Sequence, residues 1–101
     1  MIPLIKFVNH ASVILSHKDV KLITDPWIFG NAFNDGWELL SKSKFTLDDF
    51  ENITHIWFSH EHPDHFNPFV LNQIPENFRK NIKIFFQNTL DHRVAKKCKQ
   101  L

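Results

Sequence analysis

The segment that most constrains the fold is the run THIWFS at residues 54–59, where almost every residue is apolar or β-forming. Such a run predicts a strand buried on both faces, the usual state of an inner strand in an α/β sheet. Residues 5–15 predict two short strands around the irregular join NHAS, and residues 20–24 predict the returning strand of a hairpin. Residues 82–87 predict another strand.

Helix signals lie between and after these strands. Asn67 and Pro68 make a favourable N-cap and first helical position for the segment PFVLNQI, which Pro75 ends. Thr46 can cap a short helix LDDFE, and Thr89 can cap a last helix. A β-hairpin start followed by strand, helix, strand and helix indicates an α/β domain.

The composition limits the class of protein. The 101 residues, 43% of them hydrophobic, suffice for one small domain. A net charge of +1 gives no reason to expect nucleic acid or an anionic membrane as a partner. A single cysteine, Cys98, excludes an internal disulfide, and no apolar run approaches the ~18 residues of a membrane span. Without a recognisable signal peptide, the predicted location is the cytoplasm.

The turn HEHPDH at residues 60–65 concentrates side chains that bind metals. His60 and His62 are two residues apart in an extended segment, so they point to the same side. After the bend at Pro63, Asp64 and His65 come round just before the predicted helix. A solvated histidine-rich loop is the alternative, but the order of the residues and their place after a buried strand favour a pair of zinc, manganese or iron ions.

These residues carry a resemblance to a known family. HEHPDH matches the His-x-His-x-Asp-His signature of the metallo-β-lactamase fold superfamily. With NHASVIL, ITDPW and ITHIWFSHEHPDHF, the chain resembles the branch that holds ascorbate-phosphate lactonases, phospholipase D type enzymes acting on N-acyl ethanolamine lipids, and CMP-N-acetylneuraminate hydroxylases. The stretch from DPWIFG to HPDHF looks closest to the hydroxylases. The resemblance covers residues 4 to about 100 and only the first half of the family's αββα sandwich, so residues 1–101 are expected to be a domain truncated at its C-terminal end.

The resemblance implies a role for each residue of the turn. His60 and His62 would bind one metal ion, and Asp64 and His65 would bind a second, with zinc preferred over manganese or iron. Asp64 would also be the catalytic residue that orients or deprotonates the bridging water. A metal lowers the pKa of bound water to ~7, so hydroxide becomes available to attack an ester, lactone or phosphodiester-type small-molecule substrate.

Two residues outside the turn also match the family. Asp25 corresponds to an aspartate that orients a ligand, and His10 to a histidine near the substrate side. The family needs three further ligands downstream, a His, an Asp and a His, and Asp91 and His92 match neither their context nor their number. The isolated chain is therefore expected to be an inactive fragment of a metal-dependent hydrolase.

Two other functions remain open. The first is a hydroxylase-like protein without its Rieske domain, because one cysteine cannot supply that iron–sulfur centre. The second is a non-catalytic fragment or metal-binding module. Half a sandwich would expose the apolar runs IWF at residues 56–58 and IFF at residues 84–86, which predicts self-association through the uncovered sheet face.

Several other side chains have a structural interpretation beside a functional one. His17 and His55 are predicted to lie outside the site, and Cys98 is predicted to be inert. The loop aromatics could form either a substrate wall or a small satellite core: Trp27, Phe29, Phe33 and Trp37.

Overall fold

The computed structural model describes residues 2–32, 36–60, 62, 64–86 and 93–100. Its centre is a five-stranded sheet in the order β1-β2-β3-β4-β5. The strands are β1 (Leu4–Asn9), β2 (Ser12–His17), β3 (Val20–Thr24), β4 (His55–Phe58) and β5 (Lys83–Phe86). The first three pair antiparallel, whereas β3 with β4 and β4 with β5 pair parallel. The predicted α/β fold is confirmed.

The helical segments among the described residues are short. The described helices are α1 (Pro68–Leu71), α2 (Glu76–Arg79) and α3 (Arg93–Gln100), and a 3-10 helix spans Leu47–Asn52. Among the described residues, no helix has the length and apolar character needed to cross a membrane.

The predicted caps explain where these segments begin. The Asn67 side chain accepts the backbone N–H of Val70 at 3.1 Å, as an N-cap should. The N–H of Thr46 donates to the Asp49 carboxylate at 2.8 Å, which fixes the start of the 3-10 helix. The helix predicted before Pro75 is present but ends at Leu71, and α2, which follows Pro75, was not predicted. Thr89 lies outside the described residues.

One face of the sheet forms the core. Its register aligns Ile14 with Ile23, Ile23 with Ile56, and Ile56 with Ile84 in one row across four strands. The first three are at most 3% exposed. Each buried isoleucine contributes about 1.5–3 kcal/mol by leaving water. The segments that follow β3 and β4 cover this row of isoleucines. Residues of these segments belong to one hydrophobic cluster with Ile14, Ile23 and Ile56: Trp27, Phe50, Phe66, Val70 and Leu71.

The opposite face of the sheet is apolar but largely uncovered among the described residues. Ile5 pairs with Leu15, and Phe7 pairs with Val13 on the same face. The exposed fractions are 76% for Ile5, 68% for Phe7 and 48% for Phe85. We call this surface the open face. The strand predicted to be buried on both faces, β4, is thus fully buried on one face only, with Trp57 half-buried on the open face.

Candidate metal centre

The site forms where two parallel strands end side by side. Asp25 follows β3 directly, and Ser59 follows β4 directly. The backbone N–H of Asp25 donates to the carbonyl oxygen of Trp57 at 2.9 Å, which continues the pairing of the two strands beyond β3. The carboxyl ends of neighbouring parallel strands are where α/β sheets place their sites.

Asp25 is held by several hydrogen bonds. Its carboxylate is buried, and Oδ1 accepts the backbone N–H of Ser59 at 2.8 Å. Oδ2 lies 2.7 Å from the Ser59 hydroxyl and 2.9 Å from Nδ1 of His65. Asp25 also has a φ of 36°, a left-handed conformation that is costly outside glycine and concentrates at functional sites. The carboxylate therefore has one fixed position, facing His65.

The turn after β4 brings its histidines together. The carbonyl oxygen of His62 accepts the backbone N–H groups of His65 and Phe66, at 2.9 and 2.8 Å. The rings of His60 and His62 have centroids 4.7 Å apart, and those of His60 and His65 are 4.0 Å apart. The prediction that His60 and His62 face the same side agrees with this geometry.

Asp64 connects the histidine-rich turn with the segment between β1 and β2. Its Oδ2 lies 2.9 Å from Nε2 of His10 and 3.3 Å from Nε2 of His65. Burial by itself raises the pKa of the Asp64 carboxyl, but the hydrogen bond from His10 and the charge of His65 outweigh it and hold that pKa below its usual range. Asp64 is therefore ionised at neutral pH.

These side chains fit a divalent cation. Potential ligand atoms of His10, Asp64 and His65 all lie within 4.8 Å of one another. Imidazole nitrogens and a carboxylate oxygen suit zinc, manganese and iron. Because Nδ1 of His65 is used by Asp25, its Nε2 is the nitrogen that faces Asp64, which is the carboxylate–histidine arrangement typical of metal sites.

Contacts link the sequence-predicted site residues into one network: His10, Asp25, His60, His62, Asp64 and His65. Of the four predicted metal ligands, Asp64 and His65 belong to the group of described residues whose ligand atoms lie within 4.8 Å of one another, whereas His60 and His62 do not. His10 was expected on the substrate side, and it contacts Asp64 directly. Asp91 and His92, and residues 61 and 63 of the turn, lie outside the described part of the chain.

Sequence reasoning missed Ser59, which it treated only as the last residue of a strand. Its hydroxyl contacts Asp25, His60 and His65. A hydroxyl residue between an inner strand and a histidine-rich turn is the signal that could have revealed it. The histidines predicted to lie elsewhere do so, since His17 ends β2 and His55 begins β4 at the far end from Ser59.

The loop aromatics divide between the two interpretations. Trp27 is 1% exposed, and its indole N–H donates to the Gly30 carbonyl at 3.0 Å, so it belongs to the core. Trp37 is half-exposed, with its ring centroid 6.3 Å from that of His10. A groove of about 310 Å³ opens beside the site and is lined by Asn9, His10, Trp27, Trp37, Glu38, Leu39 and Leu40. Phe29 packs on Phe69, and Phe33 lies outside the described residues.

A comparison with protein families identifies the domain. Residues 4–99 match the family described as the Beta-lactamase superfamily domain. The chain belongs to the beta-lactamase superfamily. The match covers both strands that end at the site and the whole histidine-rich turn, and it confirms the resemblance to the metallo-β-lactamase fold seen in the sequence.

Curated relatives of this superfamily domain include a pig protein, cytidine monophosphate-N-acetylneuraminic acid hydroxylase from Sus scrofa. It is 33% identical over 82 residues, which cover 80% of this chain and 19% of the pig protein. A human relative, described as an inactive cytidine monophosphate-N-acetylneuraminic acid hydroxylase, is 33% identical over 86 residues, covering 84% of this chain and 17% of the human protein. The chain thus spans less than a fifth of the length of these relatives.

A solved structure supports the same fold for this superfamily domain. The crystal structure of a possible metal-dependent hydrolase from Veillonella parvula superposes with a TM-score of 0.70 at 24% sequence identity. The superposition covers 97% of this chain and 39% of the bacterial protein. The five-stranded sheet and its short helices therefore have the arrangement of part of a metallo-β-lactamase-fold domain.

Proposed function

We propose that this chain supplies part of the divalent-metal centre of a metal-dependent hydrolase. The observation that carries the proposal is the convergence of His10, Asp64 and His65, whose ligand atoms lie within 4.8 Å of one another at the carboxyl ends of β3 and β4. Membership of the superfamily and the likeness to a possible metal-dependent hydrolase support it.

The ligands proposed for two ions follow the two halves of the turn. His60 and His62, with rings 4.7 Å apart, would hold one ion, and Asp64 with His65 would hold the other. Zinc suits this set best, and manganese or iron would also fit imidazole and carboxylate. A bound divalent ion would lower the pKa of its water ligand to ~7 and polarise a carbonyl or phosphoryl oxygen.

Asp64 is the proposed catalytic residue. Its lowered pKa keeps it ionised at neutral pH, so it can accept a hydrogen bond from water and orient it. A carboxylate of lowered pKa is a weak base, which favours this orienting role over removal of a proton. His10, which lines the groove, forms a hydrogen bond with Asp64.

The groove beside His10 is the proposed place of a small-molecule substrate. It adjoins the proposed metal centre, and Trp37 gives it an aromatic wall. A substrate carrying an ester, lactone or phosphodiester-type bond could place that bond near Asp64 while its remaining part lies on the tryptophan. Residues 1–101 would act as the N-terminal part of the domain, with further ligands coming from outside this segment.

Metal binding by the chain tests the proposal. Zn²⁺, Mn²⁺ and Fe²⁺ would be titrated by calorimetry into the wild-type chain, His60→Ala, Asp64→Ala and the control His17→Ala, whose histidine lies at the end of β2. We expect saturable binding that both site variants weaken and the control does not. Equal affinity for the metal ions in all four proteins would reject the proposal.

A second candidate is a hydroxylase-like function, favoured by the relatives described as hydroxylases. Turnover separates the two, since a hydroxylase consumes reducing equivalents and a hydrolase does not. Hydrolysis of chromogenic esters, lactones or phosphodiesters without a reductant, by a form of the domain containing this segment, would support the hydrolase. Metal binding without turnover of any such substrate, whether or not a reductant is present, would instead support a non-catalytic module.

The open face supports a further proposal, that the chain associates with a second copy of itself. Ile5, Phe7 and Phe85 present apolar rings and chains to water on one side of the sheet. Apolar surface of this kind tends to be buried by association.

A further inference from the structure

We propose that Ser59 is a positioning residue through which one buried carboxylate, Asp25, sets the imidazole tautomer of both His60 and His65. Asp25 acts on His65 by direct contact and on His60 through the serine hydroxyl. The consequence for metal binding rests on the proposed function, whereas the tautomers themselves are a property of the metal-free chain.

The geometry places the Ser59 hydroxyl at a junction. Its Oγ lies 2.7 Å from Asp25 Oδ2, 2.9 Å from Nδ1 of His60 and 3.2 Å from Nδ1 of His65. The same Asp25 oxygen lies 2.9 Å from Nδ1 of His65. Both histidines thus direct Nδ1 toward the Asp25–Ser59 pair.

The single hydrogen of the hydroxyl decides the tautomer of His60. An ionised carboxylate only accepts, so the 2.7 Å contact requires Ser59 to donate to Asp25. If the hydroxyl pointed at His60 instead, two acceptor oxygens would face each other at 2.7 Å with no hydrogen between them. With its hydrogen on Asp25, Oγ can only accept, so Nδ1 of His60 must carry a hydrogen. Neutral His60 then has its lone pair on Nε2.

The same reasoning applies directly to His65. Nδ1 of His65 lies 2.9 Å from the acceptor-only Asp25 Oδ2, whereas its Nε2 lies 3.3 Å from Asp64 Oδ2. A neutral His65 has one hydrogen, which goes to the shorter contact, so Nδ1 carries it and Nε2 is left with the lone pair. That nitrogen is the one near Asp64. His60 and His65 therefore each have the lone pair that binds a metal ion on Nε2.

The backbone keeps this junction rigid. The N–H of Ser59 donates to the second Asp25 oxygen at 2.8 Å, so the serine and the carboxylate are joined by two hydrogen bonds. The N–H of Asp25 in turn bonds to Trp57 across the paired strands. The hydroxyl cannot turn away from His60 without breaking its charge-assisted bond to Asp25.

The test is to read the tautomers by NMR. Long-range proton–nitrogen spectra of the metal-free chain with ¹⁵N-labelled histidine would be recorded at a pH where imidazole is neutral. His60→Gln and His65→Gln would assign the signals. We expect both residues to carry hydrogen on Nδ1 in the wild type. A wild-type His60 with its hydrogen on Nε2 would overturn the proposal before any serine variant is made.

Variants of Ser59 isolate the relay. Ser59→Ala should move the His60 hydrogen toward Nε2 and leave His65 in its wild-type tautomer, because Asp25 still contacts His65. Ser59→Thr keeps the hydroxyl and should restore the His60 tautomer. Ser16→Ala is the matched control, since Ser16 is also a half-buried serine but lies in β2. An unchanged His60 tautomer in folded Ser59→Ala would contradict the relay.

Zinc affinity separates this proposal from the proposed function. Ser59→Ala should weaken Zn²⁺ binding by about 10–100-fold, as loss of a group supporting a metal-ligating histidine does, and Ser59→Thr should restore it. If the tautomers respond as expected but the wild type binds no Zn²⁺, the relay stands and the metal centre fails. If Zn²⁺ binds to Ser59→Ala as tightly as to the wild type, the positioning role fails.

Discussion

Asp25 Oδ2 lies 2.9 Å from Nδ1 of His65, although the two residues are 40 positions apart in the chain. The parallel pairing of β3 with β4 creates this contact, because it places the ends of both strands at one edge of the sheet. Asp25, which follows β3, thus holds in position a histidine of the turn that follows β4.

We expect Asp25→Asn to weaken both metal binding and the fold. The amide cannot accept equally from the serine and the histidine, and hydrogen bonds to a charged group contribute about 1.5–3 kcal/mol. The free energy of unfolding should fall by about 2 kcal/mol, and Zn²⁺ affinity by about 10–100-fold. Urea denaturation and calorimetry would measure these two effects. Asp19→Asn, in the exposed turn between β2 and β3, is the control, and equal values for the two variants would contradict the role of Asp25.

Much of the sheet could be predicted because its strands have strong local signals. Residues 20–24 form a strand with the predicted bounds, and the NHAS join separates β1 from β2 as expected. The turn was also predictable, since the spacing of His60 and His62 fixes their side. These features depend on alternation and on neighbouring residues, which a sequence displays directly.

Contacts between distant segments could not be predicted in the same way. Nothing local to His10 indicates that its Nε2 contacts Asp64, because that contact depends on how the β1–β2 join meets the turn after β4. The role of Ser59 likewise depends on Asp25 from the neighbouring strand. The short helix α2 was missed because Pro75 was interpreted only as the end of a helix, although it also immediately precedes the start of the next helix.

His10→Phe should affect Asp64 without removing a ligand of the turn. The hydrogen bond from His10 lowers the pKa of Asp64, so its loss should raise that pKa in the metal-free chain. A carbon-detected NMR titration of the carboxyl groups would measure the change. His17→Phe replaces an exposed histidine at the end of β2 and should leave the Asp64 titration as in the wild type. If His10→Phe also left it unchanged, the contact between His10 and Asp64 would not form in solution.

The lowered pKa of Asp64 also predicts how stability depends on pH. The ordinary value is 3.8, and the folded chain holds the proton more weakly than the unfolded chain does. Between these two values the unfolded state binds more protons, so stability falls as the pH drops from 3.8 through the lower folded pKa. Urea denaturation of the metal-free chain between about pH 5 and about pH 2 should show a steeper loss for the wild type than for Asp64→Asn. Parallel curves for the two proteins would contradict the assignment.

Association through the open face can be tested on β1, where neighbouring residues lie on opposite sides of the sheet. Phe7 lies on the open face and is 68% exposed. Leu4 pairs with Ser16 on the other side of the sheet and is 65% exposed. Phe7→Lys should shift the chain toward the monomer in analytical ultracentrifugation, because a lysine resists burial between two sheets. Leu4→Lys adds the same charge to the same edge strand, so it controls for disruption of edge pairing and should leave the association unchanged. A wild-type chain that sediments as a monomer at all concentrations and melts cooperatively would show that the open face does not drive association.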